Sequence, residues 1–288
     1  MGHGRQVHLG QLVLDVGLVN GSGVVDVLNP SAGWNLPDEV VAKLGAFVTK
    51  TATMDPRPGH PPPVVAPWGS DGSLVNSVGL AGPGIHAAIA AWQTLPGRLG
   101  IPIVASLDGG DEALGDLVGH ACSADAIDAI ELNLSCPNVE GGLIAADPKA
   151  TERAVSVARR ASSLPLIAKL TPACGQVRDV VRAADAAGAD AICCGNTMPV
   201  AASDRVGRPL LGSGVRAGLS GPDLHPLALR LVLDAAAATS LPIIGLGGVD
   251  SPTAARRMFD AGAQVIGVGS AAWNDPDVIT ELRAAIAP

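Results

Sequence analysis

Two lysines stand where a buried strand should be apolar. Lys50 ends the run AFVTK, and Lys169 sits inside LIAKLTP. Parallel strands are normally near-continuous apolar runs, and lysine is almost never fully buried without a partner. The bland reading of one such lysine is a side chain that snorkels to the rim of the fold. A pair of them favours a functional use: binding an anion, stabilising a bound cofactor, or offering an amine for a Schiff base. The stretch ELNLSCPN (131–138) carries more information. Side chains alternate along a strand, so Leu132 and Leu134 share one face while Glu131, Asn133 and Ser135 share the other. An Asn on a buried face needs hydrogen-bond partners, and a polar ligand can supply them. Cys136 lies just past this strand, on a loop, whereas Cys122, Cys174, Cys193 and Cys194 fall on helix or strand positions and read as core filling.

Further amides belong to the same set. Asn196-Thr197 follows a strand, and Asn76 sits in LVNSVGL; with Asn133 and Asn138 this gives four Asn expected on one rim. An amide both donates and accepts, which suits a ligand edge of alternating N–H and C=O groups, as in a pyrimidine. Each Asn alone is an ordinary turn residue; the inference rests on their convergence. Glycine completes the pattern. PIIGLGGV (242–249) and VIGVGSA (265–271) place Gly247, Gly248, Gly269 and Ser270 after the last two strands, where barrels hold phosphate on backbone N–H groups.

The elements that must position these residues alternate regularly. Candidate strands cover 16–21, 46–51, 101–107, 127–134, 165–171, 189–195, 242–247 and 263–269. Candidate helices cover 37–45, 84–95, 111–122, 148–163, 176–187, 223–239, 251–261 and 275–286. Eight strand–helix units predict an α/β fold, a single (β/α)₈ TIM barrel over residues 1–288, with VHLGQLVLD (7–15) as a short N-terminal hairpin. Asp147-Pro148, Ser251-Pro252 and Asp275-Pro276 each read as a cap with Pro at the first helical position. Three connections, 52–83, 135–147 and 196–222, are too long for plain links and fall at the C-terminal mouth, where barrel enzymes keep their sites.

Composition agrees with one large domain. The chain has 288 residues, 48% hydrophobic and 16% charged, and barrels of about 250 residues fold as one unit. Two Phe, four Trp and no Tyr leave no stacking platform for nucleic acid, and a net charge of −8 argues against a polyanion partner. Five cysteines without a C-x-x-C spacing fit neither a disulfide framework nor a metal or iron–sulfur site. MGHGRQVHLG has no apolar signal region, and no stretch approaches the roughly 20 apolar residues of a membrane span. Cytoplasmic localisation is expected.

Taken in order, SCPN, NSVGL, AKLTP, the Asn196-Thr197 pair, GLSGP and the two glycine loops resemble the class 1 dihydroorotate dehydrogenases along nearly the whole chain. The resemblance implies FMN-dependent oxidation of dihydroorotate to orotate in pyrimidine biosynthesis. It makes Cys136 the base that removes the C5 proton, with the C6 hydrogen passing as hydride to the flavin. It implies that Lys50, Asn76, Asn133, Asn138, Asn196 and Thr197 bind substrate. It further implies that Ser22, Lys50, Ser106, Asn133, Lys169, Gly195, Gly218, Gly247, Gly248, Gly269 and Ser270 bind FMN. Ser106 stands where the family usually has a flavin-contacting Asn. Cys in this loop, and the lack of an N-terminal extension, separate the chain from the membrane-associated class 2 enzymes. The loop after SCPN reads VEGGLIAADP, without the Gly-Lys-Pro-Gln run of the fumarate-linked branch. It is therefore similar to the NAD-linked branch, which works with an FAD and iron–sulfur subunit; a homodimer or heterotetramer is implied.

Three other readings are compatible with parts of the pattern. A dihydropyrimidine dehydrogenase-like FMN barrel would usually carry SCPH and take its catalytic Cys from another loop. A cofactor-free barrel lyase would use Lys169 as a Schiff base on a phosphorylated substrate. A flavin-binding barrel without catalysis would serve as a structural or regulatory partner.

Overall fold

A computed structural model describes residues 6–26, 36–135 and 144–286. Its strands are β1 Val7–Leu9, β2 Leu12–Leu14, β3 Leu18–Asn20, β4 Phe47–Val48, β5 Val65–Pro67, β6 Leu74–Asn76 and β7 Ile103–Leu107. They continue with β8 Ala129–Asn133, β9 Leu166–Leu170, β10 Ala191–Cys194, β11 Met198–Ala201, β12 Arg216–Ser220, β13 Ile243–Leu246 and β14 Val265–Val268. Eight of these form one parallel sheet in the order β3-β14-β13-β10-β9-β8-β7-β4. A parallel bridge between Val19 and Ala46 joins the two ends and closes the barrel. All eight predicted barrel strands are present.

The period-2 alternation of each strand divides the core into two shells. Inward side chains such as Val19, Val48, Val104, Ala129, Ile167 and Ile244 fill the lumen; the hairpin β1–β2 joins this cluster through Leu9, Leu12 and Leu14. Outward side chains such as Leu132, Leu166, Leu170 and Ile192 pack under the helices. The predicted split of the β8 strand holds: Leu132 and Leu134 belong to the outer shell. Because both faces are buried, the strands read as unbroken apolar runs, and any charge within them is conspicuous. The helix Pro148–Ala161 illustrates the outer layer: Thr151, Ala154, Val155 and Ala158 are buried at the 3–4 spacing of one face. Asp147 caps it by accepting from the Lys149 N–H at 2.9 Å, and Ser251 does the same for the Ala254 N–H at 3.3 Å.

Three expectations are corrected. The long connections 52–83 and 196–222 carry strands of their own: they supply β5, β6, β11 and β12, which pair antiparallel as β11-β12-β6-β5. The helix expected over 84–95 is two, Ile85–Trp92 and Leu95–Leu99, since Pro96 lacks the N–H that would extend the first helix. The last helix runs over Val278–Ile286; Asp275 accepts from the Asp277 N–H at 3.0 Å and shapes the turn before it. A short helix, Ser270–Asn274, follows β14 directly. Among the described residues no helix is long and apolar enough to cross a membrane.

Candidate active site

The C-terminal ends of the barrel strands and the four-stranded antiparallel sheet enclose a cavity of about 1310 Å³. Its floor holds the two lysines. Lys50 follows β4, is 9% exposed and lines the cavity. Burial lowers its pKa, and the Asp26 carboxylate offsets part of that. Lys169 is on β9, opposite Asn133 of β8 and Cys193 of β10 in the sheet register. Its Nζ lies 3.1 Å from Glu131 Oε1, with both side chains almost fully buried. Burial pushes the Lys169 pKa down, but the Glu131 charge and hydrogen bond, together with Cys193, outweigh it and the net shift is upward. Lys169 is therefore a held ammonium. A Schiff-base lysine must instead be neutral when it attacks, so the lyase reading loses its nucleophile.

The amide wall is assembled from three places. Asn133 ends β8, Asn196 follows β10, and Asn76 ends β6; all three line the cavity with Thr197. Asn133 Oδ1 accepts from Asn196 Nδ2 at 3.0 Å and from the Ser135 hydroxyl at 3.1 Å, while its Nδ2 donates to Asp108 Oδ2 at 3.0 Å. Asn196 also donates to Ser135 Oγ at 2.7 Å, and its Oδ1 accepts from the Thr197 N–H at 2.8 Å. These bonds assign the amide orientations within the cluster. Asn76 Nδ2 donates to the Gly218 carbonyl at 3.2 Å, across the β6–β12 ladder. Gly218 is glycine for a local reason: a Cβ there would lie 2.1 Å from Thr197 Oγ1.

Gly247, Gly248, Gly269 and Ser270 line the far end of the same cavity. Among the described lining residues the Lys and Arg side chains are Lys50, Lys169 and Arg216, none of them from the two glycine loops. An anion at this end would rely on backbone N–H groups, as at the glycine turns of phosphate-binding barrels. His225 shapes this turn, with Nδ1 3.0 Å from the Gly247 carbonyl. At Gly248, with φ +64°, a Cβ would meet His225 Cβ at 2.7 Å and the Gly221 carbonyl at 2.8 Å. A side chain at Gly248 would thus collide with the protein and displace the turn. Glycine end, amide wall and lysine floor suit a phosphorylated cofactor with a polar ring and a second small polar ligand, so the donor set fits FMN.

Of the other residues singled out from sequence, Ser22 lines the floor. Ser106 and Gly195 are buried behind it: Ser106 is 0% exposed and contacts Thr51, a lining residue, at 2.9 Å. Cys136 and Asn138 lie outside the described residues, and Ser135, the neighbour of Cys136 in sequence, is in the cavity wall. Cys174, Cys193 and Cys194 are buried free thiols, and burial raises all three pKa values, so none is an activated nucleophile. Sequence reasoning gave no site role to Glu131, Asp108 or His225. A glutamate within an apolar strand was as visible a signal as the two lysines.

The comparisons with known proteins agree with this geometry. The family model described as dihydroorotate dehydrogenase matches residues 29–287. The chain is 39% identical over 253 residues to "Dihydroorotate dehydrogenase B (NAD(+)), catalytic subunit" of Streptococcus pneumoniae, covering 83% of this chain and 80% of that protein. It is 37% identical over 246 residues to the protein of the same name from Pelobacter propionicus, covering 83% and 79%. Among solved structures, a dihydroorotate dehydrogenase from Eimeria tenella, crystallised with ferulenol, superposes with a TM-score of 0.81 over 98% of this chain and 83% of the other. At 18% identity that last likeness speaks for the barrel fold alone. The chain belongs to the dihydroorotate dehydrogenase family, in its class 1, NAD-linked branch.

Proposed function

We propose that the protein oxidises dihydroorotate to orotate with FMN as its bound cofactor, as the catalytic subunit of a larger assembly. One arrangement carries the reading: Asn76, Asn133, Asn196 and Thr197 face a common cavity that also holds Lys50, Lys169 and the glycine turns. The dihydroorotate ring edge alternates N–H and C=O groups, and these amides can complement both. Lys50 supplies a cation for the substrate carboxylate, and Asn138 is assigned to the same set. Lys169, held by Glu131, presents a fixed ammonium to the cofactor ring. Gly218, Gly247, Gly248, Gly269 and Ser270 hold ribityl and phosphate. Ser22 contacts the cofactor directly, while Ser106 and Gly195 support the floor from behind. When bound, FMN supplies the two-electron acceptor that no side chain provides.

Cys136 is assigned the remaining chemical role. The C5–H bond of dihydroorotate lies beside a carbonyl and is weakly acidic, so its removal needs a positioned base. Cys136 immediately follows Ser135, whose hydroxyl bonds Asn133 and Asn196 in the amide wall. The relatives are catalytic subunits of an NAD(+)-dependent enzyme, which supports a partner subunit here; we assign to that partner the FAD and iron–sulfur cluster that would take the electrons onward. Product analysis tests the reading. FMN-loaded protein given dihydroorotate and a dye acceptor should yield orotate; loaded protein that forms none would refute it.

A further inference from the structure

We propose that Glu131 is a positioning residue that sets both the charge and the hydrogen-bond polarity of the cavity floor, holding Lys169 as a donor and turning the hydroxyls of Ser106, Thr51 and Ser22 away from the ligand. The proposal rests on the assignment of this cavity to FMN. Glu131 is 3% exposed, and its Oε1 accepts from Lys169 Nζ at 3.1 Å and from the Ser106 hydroxyl at 3.0 Å. A carboxylate paired with an ammonium is an acceptor only, so the single hydrogen of Ser106 is committed to it. Ser106 Oγ lies 2.9 Å from Thr51 Oγ1. With the Ser106 hydrogen already used, Thr51 is the donor in that contact. Ser22 Oγ lies 2.9 Å from Thr51 Oγ1 and 2.8 Å from the Thr49 carbonyl. Ser22 can donate to either, and in both cases its hydrogen points into the protein.

The consequence is a directional chain of hydroxyls ending at Glu131. Ser22 and Thr51 line the cavity and turn only lone pairs toward it, which suit an N–H or O–H of the ligand. Lys169, also in the lining, gives one hydrogen to Glu131 and keeps two. The floor therefore offers acceptors on one side and a charged donor on the other, a pattern that reads a polar ring edge by orientation. The ionisable groups felt by Lys169 are Glu131 from β8 and Cys193 from β10. The Cys193 thiol is held protonated by burial and by Glu131, so Glu131 is the counter-charge. Lys50, three strands away in sheet order, has Asp26 as its own.

The test uses the FMN-loaded protein and compares FMN dissociation constant and flavin absorption spectrum across pH. In the wild type both should be flat through the neutral range, because Lys169 stays charged. Glu131→Gln keeps the size and removes the charge, leaving a buried ammonium without its partner; desolvation then moves its ionisation down in pH. A new pH-dependent step is expected in the spectrum, with FMN binding about tenfold weaker above it than below, the worth of one charged hydrogen bond. The double variant E131Q/K169M should lack the step, and Glu131→Asp should restore the flat profile. Ser106→Ala is the independent arm, since it leaves the ion pair intact. It frees Thr51 to rotate its hydrogen, so the flavin bands should shift and binding weaken several-fold at every pH, without a step. A loaded E131Q protein with a flat profile, or an S106A protein identical to wild type, would overturn the proposal alone. A wild-type protein that takes up no FMN would overturn the cofactor assignment with it.

Discussion

Asn196 donates to Asn133 at 3.0 Å, tying together the ends of β8 and β10, two strands separated by β9. With Ser135 on the same carbonyl and Asp108 on the amide nitrogen, Asn133 is locked and keeps one amide hydrogen for a ligand. Asn133→Ala should weaken orotate binding by about 1–3 kcal/mol, roughly 5–150-fold. Asn133→Asp should do worse, because it sets a second carboxylate against Asp108. Orotate titration of both variants, followed by flavin absorption, checks this. Wild-type affinity in Asn133→Ala would remove the residue from the substrate site.

Much of this wall was legible in the sequence, and the reason is physical. Barrel strands are apolar on both faces, so Lys50, Asn133 and Lys169 stood out against Val, Ile and Leu. Strand parity separated Leu132 and Leu134 from Glu131, Asn133 and Ser135, and the structure puts the two leucines in the outer shell. The antiparallel sheet β11-β12-β6-β5 was not legible. Its strands are at most five residues long and pair Leu74–Asn76 with Arg216–Ser220, a separation no local pattern reveals. Glu131 was seen only as a face-mate of Asn133, because its roles are set by Lys169 and Ser106 on neighbouring strands. The collision at Gly248 likewise depends on His225, which arrives at the start of the helix His225–Ala236.

The pH dependence of ligand binding should follow Lys50. Burial lowers its pKa, with Asp26 opposing, so the ammonium is lost at lower pH than in an exposed lysine. The orotate carboxylate stays ionised throughout. Binding should therefore be full below the lowered Lys50 pKa and weaken as pH rises through it. Orotate dissociation constants measured across the alkaline range should show this limb. Lys50→Met should bind weakly at every pH without it; the same alkaline limb in that variant would point to another group.

Gly248→Val should abolish FMN retention by displacing the turn rather than by filling the phosphate site. A Cβ there meets His225 and the Gly221 carbonyl, and φ +64° disfavours a β-branched residue. The variant should also unfold at lower temperature, which a merely plugged site would not cause. Flavin content and thermal melts of the FMN-free protein measure both. Normal flavin content would move the phosphate elsewhere, and an unchanged melt would contradict the collision.

Cys136→Ala should slow flavin reduction by dihydroorotate by about 10²–10⁴-fold, the worth of a positioned general base. Cys136→Ser should retain some activity, displaced to higher pH, because a hydroxyl is a far weaker acid than a thiol. Orotate and FMN binding should survive both changes. The same substitutions at Cys122, Cys174, Cys193 or Cys194 should cost stability at most. Rapid-mixing measurements of the reductive half-reaction separate these outcomes, and a wild-type rate in Cys136→Ala would dismiss the thiol as the base.

The most direct test is an anaerobic titration of the FMN-loaded chain with dihydroorotate. Each equivalent of bound flavin should bleach with the appearance of one equivalent of orotate, and admitting an oxidant should restore the colour. A loaded protein whose flavin stays oxidised in excess dihydroorotate would contradict the account.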